Sequence, residues 1–167
     1  MFQEVPISDL QFNPFTMIGK EWMLITAGNA EKCNTMTASW GGLGILWNKP
    51  VSTIYIRPSR YTLEFLDKES HYSLCVFDEV HRQALSYCGS HSGRDGDKIQ
   101  ATGLTPVFTE NAPYFSEAKL VLICRKLYKQ TMEPACFIDS SLDAANYPNK
   151  DYHHVFIGEI EKVLKKA

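Results

Sequence analysis

The chain has 167 residues, of which 44% are hydrophobic, 22% charged and 12% aromatic, and its 17 Lys+Arg against 19 Asp+Glu leave a net charge of -2. This is the length and composition of one soluble domain over residues 1–167, without the basic excess of a generic nucleic-acid binder or the charge of an acidic disordered tail. No apolar run approaches the roughly 20 residues that cross a bilayer, so no membrane partner is expected, and the opening Met1-Phe2-Gln3-Glu4-Val5-Pro6 lacks the basic and apolar regions of a secretory signal.

Taken in chain order, a period-2 pattern dominates and predicts a mainly β fold with a few short helices. Trp22 to Ala27 reads as a strand closed by the turn pair Gly28-Asn29. Asn34 to Trp40 is rich in Thr, reads as extended, and stops at Gly41-Gly42. Val51 to Arg57 is the clearest strand, with Ser52, Ile54 and Ile56 on one face and Val51, Thr53, Tyr55 and Arg57 on the other. Thr62 to Asp67 makes two helical turns. Tyr72 to Phe77 is a further strand with Leu74 and Val76 on one side. Asp78 is placed to cap a helix from Glu79 to Cys88, on which Val80, Ala84, Leu85 and Cys88 share a face. Asp95 or Asp97 starts another helix, which ends at Gly103 in the left-handed region. Lys119 to Tyr128 and His154 to Leu164 are long strands that suit a small barrel. Between them Met132 to Lys150, with Pro134 and Pro148, reads as a long excursion whose Phe137, Ile138, Leu142 and Tyr147 suit packing on a neighbour.

Several chemistries drop out. Cys33, Cys75, Cys88, Cys124 and Cys136 are odd in number, widely spaced and never Cys-x-x-Cys, which fits reduced thiols in a cytoplasm better than disulfides or zinc. Trp40-Gly41-Gly42-Leu43-Gly44 is not a dinucleotide fingerprint, and Gly93-Arg94-Asp95-Gly96-Asp97-Lys98 is neither a P-loop nor a calcium loop. Adjacent His153 and His154 point to opposite faces of a strand and read as surface or interface histidines. No catalytic triad and no metal site stand out.

Three patches remain. Thr35, Met36, Thr37, Ala38, Ser39 and Trp40 form a run of small side chains closing on an aromatic, where a flat ligand can approach the backbone. Tyr55, Arg57, Ser59, Arg60 and Thr62 cluster where a strand gives way to a helix, and arginine forks and helix amides suit a phosphate. Ser92, Arg94 and Lys98 lie in a loop of small residues that can complete an anion pocket.

In these patches, and in Gly103-Leu104-Thr105-Pro106, Tyr152-His153-His154 and Ile157-Gly158-Glu159-Ile160, the chain resembles the flavin reductase-like family, the FMN-binding split barrels that include flavoredoxin. The resemblance runs nearly the whole length with the motifs in order. It implies a split β-barrel that pairs as a homodimer, with FMN near the subunit interface. It also implies that Thr35 to Ser39 and Trp40 line the flavin ring, largely through backbone groups. By the same resemblance Arg57, Ser59, Arg60 and Thr62 hold the phosphate, and Ser92, Arg94 and Lys98 cover it or the ribityl chain. No side chain is then required as acid or base at hydride transfer. The leading expectation is a flavin or flavin-linked reductase fed by NADH or NADPH, delivering electrons to a small molecule, a flavin or a redox partner protein. An electron carrier of the flavoredoxin type and a flavin-binding module without catalysis are the alternatives. Cys33, beside the first patch, is read as a small apolar residue without a redox role.

Overall fold

The computed structural model describes residues 1–167. Its strands are β1 (Phe2–Glu4), β2 (Met23–Gly28), β3 (Cys33–Ala38), β4 (Gly42–Leu46), β5 (Lys49–Ile56), β6 (His71–Val76), β7 (Pro106–Val107), β8 (Tyr114–Phe115), β9 (Leu120–Thr131) and β10 (His154–Lys166). Its α-helices are α1 (Pro14–Thr16), α2 (Thr62–Lys68), α3 (Arg82–Ser90), α4 (Lys98–Thr102) and α5 (Ser140–Asn146). The main sheet is antiparallel in the order β3-β2-β6-β9-β10-β5-β4, with β1 added along β10.

The connection between the outermost strands explains the shape. A flat sheet of seven strands would be about 29 Å across. Yet β3 and β4, at opposite ends of the order, are joined by Ser39, Trp40 and Gly41 alone. So short a link reaches about 14 Å at full extension. The sheet must therefore roll up until its two ends approach, which makes it the split β-barrel expected from the sequence. Inside the roll, Ile25, Met36, Ile54, Ile56, Leu74, Leu122 and Phe156 form one apolar core. On the outer face, Leu24, Cys75, Val121 and Ile123 meet Leu85 and Cys88 of α3 and Phe115 of β8 in a second. Gly158 of β10 is required by close approach, because a Cβ there would overlap the buried Tyr72 hydroxyl.

The long strands match their alternating patterns, and Asp97 caps α4 through Ile99 and Gln100 while Gly103 closes it at φ 69°. Two departures stand out. Asp78 makes no capping bond, and the chain enters a 3₁₀ turn (Glu79–His81) before α3, so Val80 leaves the predicted face and is 82% exposed. The extended stretch expected to stop at Gly41-Gly42 does end before them, at Ala38, but Gly42 then opens β4, a strand the sequence did not announce. That strand returns into β5 through a two-residue hairpin at Trp47-Asn48, both with positive φ (52° and 58°), as tight hairpins demand.

Candidate functional site

The β3–β4 link and the end of β5 border a cavity of about 310 Å³. Met36, Thr37, Ala38, Ser39 and Trp40 supply one wall, Tyr55, Arg57 and Arg60 another, and Gly89 and His153 complete it. Trp40 is half-exposed and its ring centroid stands 5.4 Å from that of His153, while that of Tyr55 stands 6.4 Å from the same imidazole. The first two sequence patches thus converge on an aromatic platform beside an arginine.

Each residue's partners determine what it has left for a ligand. Thr35 is fully buried and bonded to Thr26 and the Ile25 carbonyl, so its side chain belongs to the core. Thr37 donates to the Leu85 carbonyl and ties β3 to α3. Arg57 is committed to Asp151 at 2.6 Å and to the Asn146 carbonyl at 2.8 Å. Arg60 donates to the Gly89 carbonyl at 2.9 Å and forms no ion pair with a carboxylate. Burial lowers its pKa, and the guanidinium remains charged. Arg60 is therefore the cation on this wall whose charge no carboxylate balances. The helix amides do less than the sequence suggested, since those of Leu63 and Glu64 in α2 bond to the Arg60 and Tyr61 carbonyls.

The third patch sits behind this wall. Gly93 crosses Asn34 so closely that a Cβ would overlap the Asn34 amide. Asn34 in turn donates to the Thr62 hydroxyl at 2.8 Å, tying β3 to the start of α2. Arg94 pairs with Glu64 at 2.6 Å, donates to the Ser59 carbonyl, and lies over Tyr61, bracing the loop to α2. Ser92 accepts from the Arg94 amide. Lys98 is 5% exposed and donates to the Cys88 and His91 carbonyls at the end of α3. Burial brings its pKa down to about 8. Thus Met36 to Trp40, Tyr55, Arg57 and Arg60 line the cavity, whereas Thr35, Ser59, Thr62, Ser92, Arg94 and Lys98 bind the chain to itself around it.

His153 is the lining residue that sequence reasoning placed wrongly. It is not a surface histidine: it is 7% exposed, and its Nδ1 lies 2.7 Å from the Tyr147 hydroxyl. Burial and the nearby Arg57 charge lower its pKa to about 4, so it is neutral at pH 7. A second cavity of about 580 Å³ adjoins, sharing Ser39, Trp40 and Tyr55 with the first.

The chain belongs to the flavin reductase like domain family, whose model matches residues 17–166. No curated protein matches its sequence. Among solved structures, an FMN-binding domain of a flavin reductases-like enzyme from Shewanella baltica superposes with a TM-score of 0.70 at 17% identity, over 99% of this chain and 77% of that one. A flavoredoxin from Methanosarcina acetivorans gives 0.68 at 23% identity, over 95% and 75%. An NADH:FAD oxidoreductase from Streptomyces globisporus gives 0.64 at 17%, over 87% and 75%.

Proposed function

We propose that the chain binds FMN in the cavity between Trp40 and Arg60 and serves as an oxidoreductase, taking electrons from NADH or NADPH and passing them to a second substrate. The observation that carries this reading is Arg60, a cation balanced by no carboxylate in a cavity that the aromatic rings of Trp40 and Tyr55 also line. A flat ring with a terminal phosphate matches both features, and membership in the family supports the match. FMN, when bound, supplies the hydride and electron chemistry. The chain's residues bind and orient: Trp40 and Tyr55 flank the ring, Arg60 meets the phosphate, and Arg57 holds Asp151 and Asn146 in place behind them. Neutral His153, with Nδ1 engaged by Tyr147, offers Nε2 to the ligand without adding charge.

Two chains are expected to form a homodimer over this region. The supporting observation is a set of exposed apolar side chains, Phe15, Trp40, Ile45, Trp47, Ile138 and Leu142, of which Phe15, Trp40 and Leu142 line the cavities. The second reading, an electron carrier, is favoured by the likeness to a flavoredoxin. Stopped-flow mixing of the FMN-loaded protein with NADH or NADPH separates the two. Rapid bleaching of the visible flavin band supports the reductase. Bleaching by a reduced partner protein alone replaces it with the carrier.

A further inference from the structure

The cavity of about 580 Å³ next to the ring site has a chemistry of its own. Its walls are the start of the chain (Phe15, Ile18), the β3–β4 link (Trp40) and the excursion after β9 (Phe137, Leu142, Tyr147). This volume lies within the range of small-molecule sites. No Lys, Arg, His, Asp or Glu lines it. Its polar groups are few and partly engaged: the Tyr147 hydroxyl is bonded to His153, and the Asn146 amide donates to the Leu142 carbonyl. Arg57 stands behind this wall, 5.1 Å from the centre of the Tyr147 ring, with its charge matched by Asp151. Cationic and apolar linings are thus divided between two adjoining cavities that share Ser39, Trp40 and Tyr55.

A second observation marks the same wall as built for a purpose. Met17–Glu21 is a π-helix, a rare form frequently found at functional sites, and it presents Ile18 and Gly19 to the cavity. Its end is held by Arg82, which donates to the Lys20 and Glu21 carbonyls and lies 3.3 Å over the Trp22 ring. Trp22 itself has a φ of 68°, a strained value for a bulky residue.

We infer that this cavity is the subsite of the second substrate and takes an uncharged, flat, largely apolar molecule. The inference rests on the FMN reading for its neighbour and narrows the substrate class. A ring that carries an anionic group directly on it would bring that charge against a wall with no cation and lose its hydration there. An uncharged ring loses little water and meets Trp40, Phe137 and Tyr147, which suit stacked or edge contacts.

The test uses the FMN-saturated protein and two probes with the same ring system, 2-methyl-1,4-naphthoquinone and 1,4-naphthoquinone-2-sulfonate. Binding is read by calorimetry and by tryptophan quenching, with retained FMN measured in the same sample. The neutral probe is expected to bind at least about tenfold more tightly than the sulfonate. Leu142→Lys, at a half-exposed position, should weaken the neutral probe and strengthen the sulfonate when compared at equal FMN content and equal mass by light scattering. Equal affinities, a preference for the sulfonate, or no binding of either while FMN is retained would overturn the inference. In the last case a dimer that buries Trp40 would show that a second copy fills the cavity. Failure to retain FMN at all would instead remove the function proposed above.

Discussion

The hydroxyl of Tyr147 and Nδ1 of His153 meet at 2.7 Å, and this bond joins the two cavities. Tyr147 lines the apolar one and His153 the one that holds Arg60. The bond also fixes the excursion after β9 against the start of β10, because both residues flank the short stretch containing Asp151, the partner of Arg57.

This bond depends on pH in one direction. His153 has a pKa of about 4 in the fold against an ordinary value of 6.5, so between those values the unfolded chain binds the extra proton and the folded chain does not. Stability is therefore full above about pH 6.5 and falls as pH drops toward 4, by up to about 3 kcal/mol. Urea unfolding from pH 4 to 7 should show a shallower loss in His153→Gln than in the unaltered protein. Identical slopes would mean that His153 is solvated.

The two arginines of the strand–helix junction should separate. Arg60→Ala removes the cation left without a carboxylate and should weaken FMN binding by about ten- to a hundred-fold, measured by quenching of flavin fluorescence. Arg57→Ala removes the Asp151 pair and should act more on stability than on affinity. The opposite ranking would transfer the phosphate to Arg57.

Legibility from sequence followed locality. β5, β9 and β10 are alternating, β-branched runs, and Asp97 and Gly103 are caps that act within one turn, so each could be read from neighbouring residues. β4 begins Gly42-Leu43-Gly44, which carries no pattern, and its hairpin turn is Trp47-Asn48 without glycine, so nothing local announced either. The platform stretch ending at Trp40 and the position of Arg60 were legible as chemistry. The diversion of Arg57 was not, because Asp151 lies 94 residues away. Burial of His153 likewise depends on Tyr147, Trp40 and Tyr55 meeting in three dimensions. Val80 illustrates the reverse error: a correct helical spacing was displaced by a 3₁₀ turn that rotates the first residues off the face.

Cys33 should prove dispensable. Burial first, and then the charge of Asp97, push its thiol up to about 11, so it is a protonated thiol at neutral pH and a poor nucleophile. Cys33→Ser should leave the rate of reduction by NADH or NADPH nearly unchanged. A collapse of turnover with FMN still bound would assign it a redox role.

Association should be coupled to the ligand. Light scattering at low micromolar protein should give twice the mass of the chain, with less dissociation when FMN is present, since a ligand that binds only the dimer stabilises it by mass action. A monomer holding FMN stoichiometrically would leave the site complete within one chain.

FMN is proposed to lie in the cavity between Trp40 and Arg60. Purifying the protein, denaturing it and identifying the released chromophore tests this most directly. The expected result is one non-covalently held FMN per chain, or, for protein isolated without it, stoichiometric quenching when FMN is added. A colourless protein that leaves added FMN fluorescence unchanged would contradict it.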